Sequence, residues 1–120
     1  MDKPPKKLDA WKEAIFLIVR IYELADKFPK SEAFGLSSQI KRAVISIVAN
    51  ISEGAARQTK REFTQYLYMA RGSLSEVDTL LEVARKLGYA PEESILEIER
   101  KMVRVDKLLT GLLQFLKKKV

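Results

Sequence analysis

The sequence contains no cysteine and no histidine. This absence excludes disulfides, Cys/His zinc sites, iron–sulfur clusters, thiol nucleophiles and every mechanism that needs an imidazole. Glycine and proline are scarce, at five and four residues, which disfavours a turn-rich sandwich or a collagen-like chain. The longest wholly apolar run, residues 14–19, is far shorter than the roughly 20 residues that span a bilayer. We therefore expect a soluble, cytoplasmic protein with no membrane partner.

What the sequence does contain is apolar and charged residues, at 47% and 32% of 120 residues. This is the composition of one globular domain with a core rather than of a disordered chain. Lysine and arginine outnumber aspartate and glutamate by 22 to 16, so the net charge is +6 and suits an acidic partner. Composition thus favours binding or assembly over catalysis. We predict that the protein is not an enzyme and uses no cofactor or metal.

Proline and glycine divide the chain into four long segments with a helical period. The predicted helices cover about residues 8–27, 36–56, 60–87 and 92–118. Links of roughly 4 to 9 residues force neighbouring helices to run antiparallel. The predicted fold is therefore all-α, an up-down-up-down antiparallel four-helix bundle. It forms a single domain over residues 8–120, after a basic flexible tail at residues 1–7 that contains Pro4 and Pro5.

Apolar side chains follow one stripe on three of these helices, at steps that average 3.5 residues. The stripes are Leu8, Trp11, Ile15, Ile18, Tyr22 and Ala25 on the first helix; Phe63, Leu67, Ala70, Leu74, Val77, Leu81 and Ala84 on the third; and Ile95, Ile98, Met102, Val105, Leu109, Leu112 and Leu116 on the fourth. These stripes predict the faces that build the core.

A second apolar row accompanies each stripe. Its members are Ala14, Leu17, Ile21 and Phe28 on the first helix, Tyr66, Leu80, Val83 and Leu87 on the third, and Leu96, Val103, Leu108 and Leu113 on the fourth. A monomeric bundle needs one apolar face of roughly 100° per helix. The surplus predicts a homo-oligomer. The alternative is a thicker monomer core with a few exposed leucines.

The second helix has a pattern that fits either a strand or a helix. Its residues 45–51 are rich in β-branched side chains, which favour strands. In this segment Ser46, Val48 and Asn50 alternate with Ile45, Ile47, Ala49 and Ile51. A strand needs a partner, and no other segment offers one. Leu36, Ile40, Ala43, Ile47 and Ile51 also follow a helical spacing. We therefore interpret the segment as a helix.

Capping residues support these boundaries. Ser37 or Ser38 is expected to cap the second helix, and Thr59 with Glu62 forms a capping-box pattern at the third. Gly54 and Gly88 are expected at left-handed positions after helix ends. A further glycine, Gly72, lies inside the third helix, where it is expected to permit a close approach between helices.

Polar side chains interrupt the apolar pattern on the second and third helices. The second helix carries a stripe of Gln39, Arg42, Ser46, Asn50, Glu53 and Arg57, and the third has a polar break at Arg71, Gly72, Ser73 and Glu76. One interpretation is a structural polar network that fixes the register of the two helices, with Gln39, Asn50, Glu53, Arg71 and Glu76 as its members. The other interpretation is a binding surface.

Charge is segregated along the chain. Residues 36–71 and 100–120 carry net charges of +4 and +6, whereas residues 72–99 carry −5. The candidate nucleic-acid-binding residues are Lys41, Arg42, Arg57, Lys60, Arg61, Lys117, Lys118 and Lys119, and Tyr66 and Tyr68 are candidates to stack on bases. Such a surface would bind an RNA or DNA backbone with little sequence specificity. The alternative is a protein–protein scaffold with no nucleic-acid partner.

Several motifs in one order resemble a known family. They are Leu8-x-x-Trp11, Phe28-Pro29, residues 35–43, residues 50–54 followed by Arg57, and residues 70–73 followed by Glu76. The sequence resembles the bacterial four-helix bundle proteins related to those encoded by intervening sequences in 23S ribosomal RNA genes. Val48 and Ser52 depart from that pattern, since family members often have proline and alanine there.

The resemblance implies a small cytoplasmic homopentamer with no established enzymatic activity. It also implies kinship with the basic accessory proteins of diversity-generating retroelements, which bind nucleic acid beside a reverse transcriptase. A reverse transcriptase and a ribosomal component are therefore candidate partners by resemblance, although the ribosomal label of the family reflects gene location. No binding role of a single family residue carries over to this chain.

Overall fold

The computed structural model describes residues 8–118, and this range is helical apart from short links. The helices are α1 (Asp9–Ala25), α2 (Leu36–Ala55), α3 (Lys60–Leu87) and α4 (Glu92–Lys118), with a 3₁₀ turn at Lys30–Glu32. Each helix packs on its two neighbours in the order α1–α2–α3–α4–α1, while the diagonal pairs do not approach within this range. The predicted antiparallel four-helix bundle is confirmed, whereas the tail at residues 1–7 lies outside the described residues.

The bundle has two ends, and each carries its own links and helix termini. The α1–α2 end contains residues 26–35 and the link between α3 and α4. The α2–α3 end contains the turn between α2 and α3, the start of α1 and the end of α4. Because the described bundle extends 47 Å along its long axis, groups at the two ends lie far apart.

The segment with strand-like alternation is a helix, as predicted. Ile40, Val44, Ile47 and Ile51 are fully buried along one face of α2. This face packs chiefly on α3, and the burial of these side chains outweighs the weak preference of β-branched residues for strands. α2 runs without interruption through Val48.

For α1, the apolar row that we predicted to build the core is the wrong one of the two. The fully buried residues are those of the second row, Ala14, Leu17 and Ile21, whereas Trp11 and Tyr22 of the predicted stripe are half-buried. α1 contacts both α2 and α4, so the row between these helices faces the bundle axis. Trp11 lies at the edge toward α2, where its indole Nε1–H donates to Ser52 Oγ at 3.0 Å. The stripes on α3 and α4 are buried as predicted, except that Phe63 and Leu112 are only partly buried.

Two of the predicted caps are confirmed. Thr59 Oγ1 accepts a hydrogen bond from the Glu62 backbone N–H at 3.1 Å. This bond supplies an acceptor to an N–H of the first turn of α3 that has no partner within the helix. Gly88 ends α3 in the left-handed conformation, with φ at 71°.

Three other expectations for helix ends and glycines are wrong. The N-cap position of α2 is Gly35 rather than a serine, and Glu32 Oε1 accepts the first N–H of the helix, that of Leu36, at 3.0 Å. Gly54 is not a left-handed terminal residue but lies inside α2, where a Cβ would meet the Tyr66 Cβ at 2.6 Å. Gly72 does not permit a close approach, because nothing lies within 4 Å of the position of its Cβ.

Candidate nucleic-acid interface

The α2–α3 end carries a concentration of basic side chains. Arg57 lies in the turn, and Lys60 and Arg61 open α3. Arg85 on α3 pairs with Glu92 on α4, and Arg71 pairs with Asp106. These two ion pairs show how the antiparallel helices are aligned. The same alignment, continued to the far end of both helices, places Lys60 level with Lys117. Lys117 and Lys118 therefore lie at the same end as the turn. The predicted Lys119 lies outside the described residues.

Arg57 is held in place by its neighbours. Its Nη2 donates to Glu53 Oε2 and to the Tyr66 hydroxyl, both at 2.7 Å, and its guanidinium lies 4.9 Å from the centre of the Tyr66 ring. The pair with Glu53 is solvent-exposed and contributes little to stability. The Glu53 carboxylate nevertheless offsets part of the positive charge that Arg57 would present. The Tyr66 hydroxyl is engaged by Arg57, and the Tyr66 side chain is half-buried. Of the two tyrosines proposed to stack on bases, Tyr68 is the exposed one, at 58%.

Lys41 and Arg42 do not join this group. Lys41 lies 14 residues before the end of α2, which corresponds to about 21 Å of helix. Its Nζ pairs with Asp26 Oδ1 at 2.9 Å and lies over the Tyr22 ring at 4.9 Å. Arg42 makes a long contact of 3.5 Å with Ser38 Oγ. The residues predicted to form a nucleic-acid surface thus occupy two opposite ends of the bundle.

The acidic segment of the chain surrounds one arginine. Arg85 donates hydrogen bonds to Glu82, Glu92 and Glu99 at 2.7–3.0 Å. The hydrogen bonds from Arg85 lower the pKa of Glu99, and those carboxylates in turn raise the pKa of Arg85. These carboxylates are therefore committed to an ion-pair cluster. No group of acidic residues within residues 8–118 has an arrangement that suits a metal ion.

The five residues proposed as a structural polar network do not bond one another, but two of them connect to α3 through other side chains. Asn50 Nδ2 donates to Ser46 Oγ at 3.2 Å. Glu53 accepts from Arg57, which also donates to Tyr66 on α3. Arg71 instead reaches Asp106 on α4 at 3.6 Å. Gln39 and Glu76 are exposed. Ser46 Oγ on α2 shares a hydrogen bond with Ser73 Oγ on α3 at 2.8 Å, so Asn50 is joined to Ser73 through Ser46. Both serines belong to the polar stripes, but the stripe alone does not reveal which members face each other.

A groove runs between α3 and α4. Two adjoining cavities of about 810 and 590 Å³ share Asp78 and Glu99 as lining residues. Gly72 and Ser75 line the groove on its α3 side, where their small side chains leave it open. Four apolar side chains on or beside the groove are 40–54% exposed: Val83, Leu87, Leu96 and Val103. These four belong to the second apolar rows of the sequence.

Fold and surface together define a small all-helical bundle with one basic end and an apolar groove, and within the described part of the chain no helix is long and apolar enough to cross a membrane. The model of the 23S rRNA-intervening sequence protein family matches residues 6–111, so the chain belongs to this family. The resemblance stated from the motifs is confirmed.

A solved structure agrees with this assignment. The chain is similar to a protein of unknown function from the S23 ribosomal protein family of Bacteroides thetaiotaomicron VPI-5482, with a TM-score of 0.81 and 26% identity. The similarity covers 88% of this chain and 95% of that one. Among curated proteins, no relative matches this chain.

Proposed function

We propose that this protein is a non-enzymatic, homo-oligomeric bundle that binds the phosphate backbone of RNA or DNA through its α2–α3 end. The observation that carries the proposal is the convergence of basic side chains from the turn, the start of α3 and the end of α4. The acidic cluster around Arg85 lies toward the other end of the α3–α4 hairpin. A nucleic acid would therefore be attracted to the α2–α3 end and repelled by the carboxylates beside the link between α3 and α4.

The basic residues have distinct roles in this proposal. Arg61, Lys117 and Lys118 are exposed and supply charge to phosphates. Arg57 is positioned by Tyr66 and presents its remaining donors to a phosphate oxygen. Contacts of this type release counterions, so affinity falls with salt at a slope of about −0.9 per neutralised phosphate on duplex DNA and about −0.7 on single strands.

A protein–protein scaffold is the second candidate, and the α3–α4 groove favours it. Val83, Leu87 and Val103 expose apolar surface along this groove. An exposed apolar groove is typical of a protein interaction site rather than of a surface that binds phosphates. The two candidates use different parts of the molecule, so one experiment separates them.

The test is a salt titration of binding to a generic RNA and to duplex DNA, beginning at about 50 mM salt. We expect the triple substitution Arg57→Ala, Lys60→Ala and Arg61→Ala to weaken binding strongly and to reduce the salt slope by about 2 on single strands and about 3 on duplex DNA. The matched control removes the same charge elsewhere, by Lys27→Ala, Lys86→Ala and Arg100→Ala. Absence of binding by the wild type, or an equal loss in both triple variants, would contradict the proposed interface.

A further inference from the structure

A cavity of about 480 Å³ lies at the α1–α2 end, between the end of α1, the 3₁₀ turn and the start of α2. Three basic residues line it, Lys30, Lys41 and Arg42, against one acidic residue, Asp26. Tyr22, Phe28 and Ile45 add apolar surface to the lining. The cavity therefore combines a net positive charge with apolar surface, and it lies far from the basic α2–α3 end.

The N-terminus of α2 faces this cavity with donors that the helix does not use. Glu32 Oε1 accepts from the N–H of Leu36, and the N–H of Gln39 bonds back to Gly35 O at 3.0 Å. Among the described residues no hydrogen bond reaches the N–H groups of Ser37 and Ser38, which lie between them. Unused N–H groups at a helix start carry positive partial charge and favour anions.

Ser37 supplies an independent indication of a ligand. It is the one polar residue buried with the core of the described chain, at 8% exposure, and it lines the cavity. Its hydroxyl has no hydrogen-bond partner among the described residues, and no polar side-chain atom that is fully sealed in this part of the chain lacks a partner. The Ser37 hydroxyl is therefore not fully sealed, and Ser37 lines the cavity. A largely buried hydroxyl with no protein partner is available to a group inside the cavity.

We propose that this cavity binds a phosphate group, either free or as the monoester of a small organic molecule. The hydroxyls of Ser37 and Ser38, the two unused N–H groups, and the side chains of Lys30 and Arg42 together offer more donors than a carboxylate can accept. They suit the three terminal oxygens of a phosphate monoester, which is largely a dianion above pH 7. The cavity, at about 480 Å³ with Tyr22, Phe28 and Ile45 in its lining, also has room for a small organic group. This site is separate from the proposed nucleic-acid interface and does not depend on it.

Asp26 would compete with a bound phosphate for Lys41, which gives the proposed site a distinctive test. Its carboxylate pairs with Lys41 at 2.9 Å and would repel a phosphate, but its side chain is 68% exposed and can turn into solvent. Phosphate binding then exchanges one anionic partner of Lys41 for another. Removing the Asp26 charge should therefore strengthen binding, which is the opposite of what loss of a merely structural ion pair would do.

The experiment is a titration of the ¹⁵N-labelled protein at pH 7.5 with inorganic phosphate, 5′-AMP and adenosine, followed by amide chemical shifts. We expect saturable shifts of Ser37 and Ser38 with both phosphate compounds and none with adenosine. Ser37→Ala and Arg42→Gln should each weaken binding about tenfold, and Asp26→Asn should tighten it severalfold. The control Arg61→Gln, at the α2–α3 end, should leave the affinity unchanged.

The arms of the titration separate the two sources of the phosphate group. Equal affinity for inorganic phosphate and 5′-AMP identifies free phosphate, and tighter binding of 5′-AMP identifies a monoester. No saturation up to about 10 mM of either compound would overturn the proposal. So would binding of adenosine alone, or a loss of affinity in Arg61→Gln that matches the loss in Arg42→Gln. Arg42 is exposed, so its variant keeps the test informative if Ser37→Ala fails to fold.

Discussion

At the scale of single residues, two glycines on the α2–α3 hairpin have opposite structural roles. Gly54 is buried where α2 crosses α3, and its missing side chain lets the helices approach each other. Gly72 lies on the exposed side of α3 beside the groove, with open space where a Cβ would stand. Sequence alone suggests a helix end for the first and a close contact for the second. Both assignments depend on which way each glycine faces, which the spacing of glycines does not show.

Substitution by alanine should separate the two glycines. In Gly54→Ala the new Cβ would lie 2.6 Å from the Tyr66 Cβ and 3.0 Å from Phe63 Cδ1, so we expect a loss of roughly 1–3 kcal/mol in the free energy of unfolding. Gly72→Ala meets no atom and raises helix propensity, so we expect a gain of about 1 kcal/mol. Urea unfolding followed by the fluorescence of Trp11 measures both. Similar changes in the two variants would contradict this assignment.

At the scale of elements, a few side chains join the links at the α1–α2 end. The Tyr89 hydroxyl, beyond α3, donates to Glu32 Oε2 at 2.7 Å, while the other oxygen of Glu32 caps α2. The rings of Phe28 and Tyr89 also pack at 5.6 Å between centroids. The hydrogen bonds from Leu36 N–H and from Tyr89 lower the pKa of Glu32, and the same contact with Glu32 raises the pKa of Tyr89.

This link predicts a pH dependence of definite sign. Because the pKa of Glu32 is lower in the folded than in the unfolded protein, its stabilising effect is present above the unfolded pKa and is lost as the pH falls through the folded value. Tyr89→Phe removes one donor, so we expect the pKa of Glu32 to rise toward its ordinary value. A titration of the Glu32 side-chain carboxyl by NMR measures this directly. An unchanged pKa in the variant would show that the hydrogen bond from Tyr89 does not act on Glu32.

The elements themselves were predictable, and their mutual arrangement was less so. The four helices begin and end within two residues of the predicted bounds, because apolar periodicity and the Thr59 and Gly88 caps are local signals. The buried row of α1 was not predictable, since both of its apolar rows have a helical period. The Ser46–Ser73 contact depends on how α2 and α3 rotate against each other, so it needs the structure. The separation of Lys41 from Arg57 follows from the length of α2 alone, so the predicted helix already implies it.

At the scale of the whole molecule, polar and apolar surfaces occupy different places. Basic side chains dominate the α2–α3 end, the ion-pair cluster of Arg85 lies toward the opposite end, and the apolar groove follows α3 and α4. A bundle of this size buries its core with one face of each helix. The exposed apolar residues of the groove are therefore surplus to the needs of the monomer.

Self-association through this groove is the expected use of the surplus surface. Val103→Lys and Leu87→Lys place a charge on exposed positions of the groove, so they should leave the monomer fold intact and shift the protein toward monomer. Sedimentation velocity at micromolar concentration, with circular dichroism as a check on folding, measures the effect. Phe16→Ser, which removes a 60% exposed apolar side chain from the outer face of α1, is the matched control and should leave the oligomer intact. A wild-type monomer would refute self-association. Dissociation by Phe16→Ser, with no effect of the groove variants, would instead place the contact on α1.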